Sequence, residues 1–186
     1  MKRIEIRWHG RGGQGAVTAA IIVAQAAIFE GKYAQAYPEF GAERRGAPVR
    51  AYNRVSDEPI YTRAPILTPD VVVVLDSSLP KELYMEGLKS GGYLVMNTKK
   101  SIDEVKQYIG RNDIKIAVVD ATRIALETLG IPIVNTAMVG ALVKVLPIVK
   151  IERVEEAIRE NFSGRLAEVN IQAVRKAYES VKVLSQ

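Results

Sequence analysis

Charged and apolar positions alternate over residues 2–8, which predicts a strand running into a glycine-rich turn. Over residues 16–29 the polar positions almost vanish, and Ala, Ile and Val dominate. That segment predicts a helix with little solvent-facing surface, covered by the sheet on one side and by something else on the other. Gly31 ends it, and residues 33–37 predict a second short strand. Residues 48–55, the turn Ser56-Asp57-Glu58-Pro59 and residues 60–63 predict a strand, a turn and a returning strand. Val49, Ala51 and Asn53 alternate there with Arg50, Tyr52 and Arg54. A hairpin joins antiparallel neighbours, which argues against a purely parallel sheet.

Val71-Val72-Val73-Val74-Leu75 is the strongest strand signal, since a continuous β-branched run implies burial on both faces. Strands follow at residues 93–96 and 115–119, separated by helices beginning near Pro80 and after Ser101. Ser101-Ile102-Asp103-Glu104 fits a capping box. The last third predicts helices over residues 137–149, meeting Pro147, over residues 152–159, and a final helix through residues 166–181. Leu166, Val169, Ala173, Val174, Ala177, Tyr178 and Val181 form an apolar stripe in the last of these. The expected fold is a single α/β domain over residues 1–186. It is a three-layer α/β/α arrangement with a mixed, mostly parallel, Rossmann-like sheet and a helical C-terminal third.

Composition narrows the chemistry. With 48% apolar and 25% charged residues, the 186-residue chain reads as an ordinary globular protein. It contains no 18-residue apolar run, so no membrane span is expected. The opening Met1-Lys2-Arg3-Ile4 leads straight into a strand, so a cytoplasmic location is expected. There is no cysteine, which excludes disulfides, a thiol nucleophile and a cysteine-ligated iron–sulfur cluster held by this chain. The single His9 argues equally against a histidine-based zinc site. The net charge of +5 is spread along the chain, as on a solvated surface or one facing an anionic ligand or acidic partner. No basic stripe is interleaved with aromatics, so nucleic acid is not an expected partner.

The sharpest local signal is Gly10-Arg11-Gly12-Gly13-Gln14-Gly15, between the first strand and the first helix. Glycines allow close backbone approach, and the helix offers unpaired N–H groups to an anion. Gly10, Gly12 and Gly15 satisfy the dinucleotide fingerprint spacing, yet the acid that should end the second strand lies beyond a proline, at Glu39. A phosphate-bearing ligand, a structural tight turn and backbone contact with a partner chain all remain open. A second loop brackets paired arginines with glycines, in Gly41-Ala42-Glu43-Arg44-Arg45-Gly46. Guanidinium forks suit carboxylate or phosphate, unless Glu43 simply neutralises them. If the first two strands are parallel neighbours, both loops emerge at the same sheet edge. Asp76, Asn97 and Asp120 each end an apolar strand, where ligand crevices open and where helix caps are also common. His9, without a thiol or serine known nearby, reads as a packed or hydrogen-bonding side chain rather than a base.

Several runs together resemble the gamma subunit of pyruvate and related 2-oxoacid:ferredoxin oxidoreductases. They are Ile6-Arg7-Trp8-His9 with the glycine loop, Tyr37-Pro38-Glu39-Phe40 with the arginine loop through Ala51, Ser56-Asp57-Glu58-Pro59-Ile60, and Pro69-Asp70 with the valine run to Asp76. Val118-Val119-Asp120-Ala121-Thr122 and Asn135-Thr136-Ala137-Met138-Val139-Gly140-Ala141 complete the set. The resemblance implies one chain of a complex that makes acyl-CoA and carbon dioxide from a 2-oxoacid and CoA while reducing ferredoxin. Thiamine diphosphate, Mg2+ and [4Fe-4S] clusters would lie on the alpha, beta and delta subunits, and none on this chain. The glycine loop, by its own chemistry, gives cofactor-binding candidates at Gly10, Arg11, Gly12, Gly13, Gln14 and Gly15. Glu43, Arg44, Arg45, Arg50 and Asn135 become interface or CoA-side candidates, and no residue is catalytic or a metal ligand. The pyruvate and 2-ketoisovalerate versions are not separated by these residues. An autonomous NAD(P)-binding oxidoreductase and a non-catalytic scaffold are the competing readings.

Overall fold

Seven strands join one sheet in the computed structural model, which describes residues 2–39 and 44–184. In chain order the first half runs β1 (Ile4–Arg11), α1 (Ala16–Phe29), β2 (Tyr33–Pro38), β3 (Pro48–Ser56), β4 (Val71–Val74), α2 (Lys81–Met85) and β5 (Tyr93–Asn97). The second half runs α3 (Ile102–Ile109), β6 (Lys115–Val119), α4 (Ala121–Thr128), α5 (Asn135–Val145), α6 (Ile151–Asn161), α7 (Gly164–Ser180) and β7 (Lys182–Leu184). The sheet order is β2-β3-β1-β4-β5-β6-β7. The ladders β1–β4, β4–β5 and β5–β6 are parallel, whereas β3 is antiparallel to both β1 and β2, and β7 is antiparallel to β6. Only β3 and β7 oppose the common strand direction, so the sheet is mixed and mostly parallel, with helices on both faces.

Period-two burial builds the two helical layers. Val71 and Val73 join Ile6, Trp8, Val95 and Ala117 under α1 and α5, while Val72 and Val74 join Leu94 and Ile116 under Tyr84, Val105 and Ile109. The buried run thus explains why β4 sits centrally. Helix α1 has no side-chain cap and no acid in its first turn, so burial must hold it. Eight of its residues are buried, among them Ile22 and Val23, each worth about 1.5–3 kcal/mol. The second cover that its sequence demands comes from this chain itself, because α5 and α6 lie against it. Helix α7 then crosses over α5, where Gly140 leaves room for the Val174 carbonyl and the Thr136 hydroxyl donates to Asn170 Oδ1 over 2.8 Å. Ser101 and Glu104 form the expected capping box, and Gly110 closes α3 in the left-handed region at φ 73°.

Three expectations need correction. Residues 60–63 form no returning strand. Both edges of β3 are already taken, by β1 and β2, so no ladder position remains. The segment is instead tied by side chains. Gln35 Nε2 donates to the Thr62 carbonyl (2.9 Å), and both Tyr37 OH and Arg54 Nη2 donate to that of Ala64 (2.6 Å each). The first two strands are not neighbours, since β3 lies between them, although both still run in the same direction. The helix expected over residues 137–149 begins earlier, at Asn135, and stops at Val145, ahead of the Pro147 that cannot continue it.

Candidate functional site at the carboxyl edge of the sheet

β1 delivers the glycine loop, and the end of the loop before β3 closes on it. Gly12 N–H donates to the Ala47 carbonyl (2.8 Å) and Gly46 N–H donates to the Gly12 carbonyl (3.1 Å), which aligns Gly12 with Arg45 as a short parallel bridge. The two loops therefore converge, as parallel strand directions require, through β3 rather than through adjacency. The glycines are explained by crowding from this chain's own atoms. A Cβ on Gly12 would strike the Arg44 carbonyl, and one on Gly15 would strike the Asn135 amide. Gly13 and Gly15 also adopt φ of 90° and 81°, which disfavour side chains.

Asp76, at the end of β4, ties this corner together. Its Oδ2 accepts from Arg11 Nε (3.2 Å) and Gln14 Nε2 (2.9 Å), and its Oδ1 accepts from the Ser78 N–H (2.9 Å) and hydroxyl (2.6 Å). Partial burial opposes its ionisation, but the hydrogen bonds from Ser78 and Gln14 and the charge of Arg11 hold its carboxyl below the usual range. Gln14 also accepts the Arg11 N–H through Oε1 (2.7 Å), and Arg11 reaches the Gly46 carbonyl (3.2 Å). Asn97 is a buried brace. It donates to the Leu75 carbonyl and the Thr122 hydroxyl and accepts from the N–H groups of Ala121 and Thr122. Asp120 caps α4 through Arg123 N–H (3.0 Å). A crevice of about 530 Å3 opens between these strand ends, lined by Gln14, Asp76, Asn97 and Thr122 with Pro132 and Val134.

The structure thus gathers Gly10 to Gly15, Arg44, Arg45 and Asn135 at one corner. Arg44 and Arg45 are exposed, and neither has an ion-pair partner among the described residues. Asn135 is 5% exposed and sits against Gly15. Glu43 lies outside the described residues. Arg50 is not part of this corner. It pairs across the ladder with His9 and faces a separate hollow of about 250 Å3 with Leu79 and Leu83. Its guanidinium reaches Glu39 at 3.6 Å and Glu86 at 3.9 Å. Glu39 is thereby engaged two strands away from the glycine loop, where a ribose-binding acid would be useless to it.

Buried polar residues on β1 and β3 escaped the sequence reading. Arg7 is 2% exposed and Arg54 3% exposed. Trp8 Nε1 donates to Asn53 Oδ1 (2.8 Å), and Asn53 Nδ2 donates to the carbonyls of Ala20 and Gln35. Asn53 on the same strand face as Val49 and Ala51 was the available signal. Among the described residues no group of three or more His, Asp or Glu side chains could hold a metal ion, and no helix is long and apolar enough to cross a membrane.

An open sheet covered on both faces, with a glycine loop at its first crossover and a crevice at its carboxyl edge, defines a Rossmann-like α/β protein. Within that class the chain belongs to the pyruvate ferredoxin/flavodoxin oxidoreductase family, whose model matches residues 5–180, and within it to the gamma subunits. It is 56% identical over 181 residues to the pyruvate/ketoisovalerate oxidoreductases common subunit gamma of Pyrococcus abyssi, covering 97% of this chain and 98% of that one. The crystal structure of pyruvate oxidoreductase subunit PORC from Thermotoga maritima is similar over 100% of both chains, at 46% identity and a TM-score of 0.90. The gamma subunit of a keto/oxoacid ferredoxin oxidoreductase from Geobacter sulfurreducens matches over 96% of each chain at 26% identity and a TM-score of 0.77.

Proposed function

We propose that this chain is the non-catalytic gamma subunit of a cytoplasmic 2-oxoacid:ferredoxin oxidoreductase that converts pyruvate and CoA to acetyl-CoA and carbon dioxide while reducing ferredoxin. The observation that carries this reading is its end-to-end likeness to free-standing gamma chains. The donor set agrees with it. With no cysteine and no clustered metal ligands among the described residues, the chain has no means of its own to ligate an iron–sulfur cluster. Thiamine diphosphate, Mg2+ and [4Fe-4S] clusters would then belong to alpha, beta and delta partners, where the cofactors carry the carbanion and electron-transfer chemistry. One gamma chain can serve a branched-chain enzyme as well, as the name of the Pyrococcus relative states for that protein. Substrate choice would then lie with the thiamine-binding chain.

What this chain supplies is a cationic corner. The glycine loop is filled by its own neighbours, but Arg44 and Arg45 project from it with no acid to neutralise them among the described residues. That surface suits an acidic patch on the thiamine-binding chain, with CoA phosphates as the second reading. An autonomous dinucleotide enzyme is disfavoured, because β3 occupies the place beside β1 from which the ribose-binding acid should come. The test is co-purification. The tagged chain should bring down a thiamine diphosphate-binding chain and a two-cluster chain, and the isolated, cofactor-supplemented chain should reduce no dye with pyruvate. Dye reduction by the isolated chain would defeat the reading.

A further inference from the structure

We infer that the crevice at the carboxyl ends of β4, β5 and β6 is a binding site for a nucleoside diphosphate or triphosphate, separate from the arginine corner. Two hollows meet there, of about 530 and 190 Å3, sharing Thr98, Lys99, Lys100 and Asp120. The larger falls within the volume range of small-molecule sites. Its apolar lining comes from Leu75, Pro132 and Val134, and Pro132 is the one of the three exposed enough to meet a flat base.

The smaller hollow is cationic. Lys99, Lys100, Arg123 and Lys182 line it, and Asp120 is its one acid. Lys99 and Lys182 make no ion pair among the described residues, Lys100 overlies the Tyr108 ring at 5.5 Å and lies close enough to Glu104 to favour its carboxylate, and Arg123 has a long pairing with Glu127 at 3.9 Å. Four cations around one cavity with so little compensation favour a polyanion. Between the hollows, Asp120 commits Oδ1 to the α4 cap and leaves Oδ2 without a hydrogen bond among the described residues. An acceptor at a strand end is where open α/β sheets hold ribose hydroxyls. Asp76 cannot take that role, because each of its oxygens already accepts two hydrogen bonds.

The direction of the ligand follows from the glycine loop. In a dinucleotide site the pyrophosphate lies over that loop, but here Arg44 and Asn135 fill the spaces beside Gly12 and Gly15. The phosphates are therefore sent the other way, towards Lys99, Lys100 and Lys182, with the base beside Pro132 and the sugar on Asp120.

The experiment is calorimetric titration of the full chain with ADP, adenosine and pyrophosphate at low salt. ADP should bind at one site per chain, with adenosine and pyrophosphate each weaker by about tenfold or more, since each offers only part of the contacts. Lys99→Ala/Lys100→Ala should weaken ADP by about tenfold, and Lys182→Ala, carried by a different element, should weaken it in the same direction. Repeated at physiological salt, where charges outside the cavity are screened, the titration of Arg44→Ala/Arg45→Ala should stay within about twofold of wild type. The inference is overturned by an absence of saturable ADP binding, by pyrophosphate binding as tightly as ADP, or by loss that follows Arg44 and Arg45 rather than the lysines. None of these readouts depends on partner chains, so the subunit reading stands or falls separately.

Discussion

Arg7 donates its Nε–H to Nε2 of His9 over 2.8 Å, with both side chains 2% exposed. The acceptor nitrogen must be unprotonated, so His9 is neutral with its proton on Nδ1. Arg7 spends its remaining donors on the carbonyls of Ile66, Leu67, Tyr84 and Glu86, which clamps the loop before β4 and the end of α2 to β1 with no carboxylate partner among the described residues. Burial, then the charges of Arg7 and Arg50, push the His9 pKa down to about 2.

This makes His9 an acid-side liability. The unfolded chain gains a proton near pH 6.5 and the folded chain does not, so stability is present above that pH and falls as pH drops from 6.5 towards 2. Between pH 7 and 5 the wild-type chain should lose about 2 kcal/mol that His9→Gln, which keeps an acceptor for Arg7, does not lose. Urea denaturation at the two pH values measures this. Parallel losses in both chains would show that His9 titrates normally.

Tyr84 is fully buried beside His9, its hydroxyl has no hydrogen-bond partner among the described residues, and burial, then Tyr108 and Glu82, raise its pKa to about 12. Tyr84→Phe keeps the ring and removes the orphan group, so its denaturation midpoint should stay level or rise, by up to about 1 kcal/mol in stability. A clear drop would reveal a partner for the hydroxyl.

Gly140→Ala should destabilise by about 1–3 kcal/mol, because the new methyl meets the Val174 backbone and forces α5 and α7 apart. The same denaturation assay reads it. Unchanged stability would mean that the helix pair can slide apart freely.

For the arginine corner, Arg44→Ala/Arg45→Ala should weaken assembly of the complex in sedimentation, with the defect largest at low salt because exposed ion pairs are screened at high salt. An intact complex with a raised KM for CoA alone would assign the corner to CoA. No change in assembly or kinetics would defeat both roles.

Where local pattern and tertiary burial agree, the sequence was readable. The valine run of β4, the apolar α1 and the Ser101 capping box need no distant partner to declare themselves. Asp76, Asn97 and Asp120 were legible as strand ends, but not that Asp76 would join Arg11 to Gln14 while Asn97 braced α4. Alternating Arg50, Tyr52 and Arg54 reads as a solvent face, yet residues 60–67 fold back over that face and bury Arg54 and Arg7 with it. Arginine capped by carbonyls looks, in sequence, the same as arginine in water. Helix α4 and strand β7 were missed because they are short, at eight and three residues, and are fixed by an Asp120 cap and an edge ladder rather than by strong periodicity. The insertion of β3 was hidden for a related reason, since strand order is a property of long-range pairing alone.

That insertion also dictates an order of events during synthesis. Within the sheet β2 pairs only with β3, and the two neighbours of β1, β3 and β4, are both made later. A nascent chain that has not yet reached Pro48 therefore carries two strands and an alanine-rich helix with no ladder between them. Ala51 to Val55 of β3 pair with β1 on one side and β2 on the other, so the amino-terminal quarter of the protein can only close as a sheet once the strand that follows it has left the ribosome.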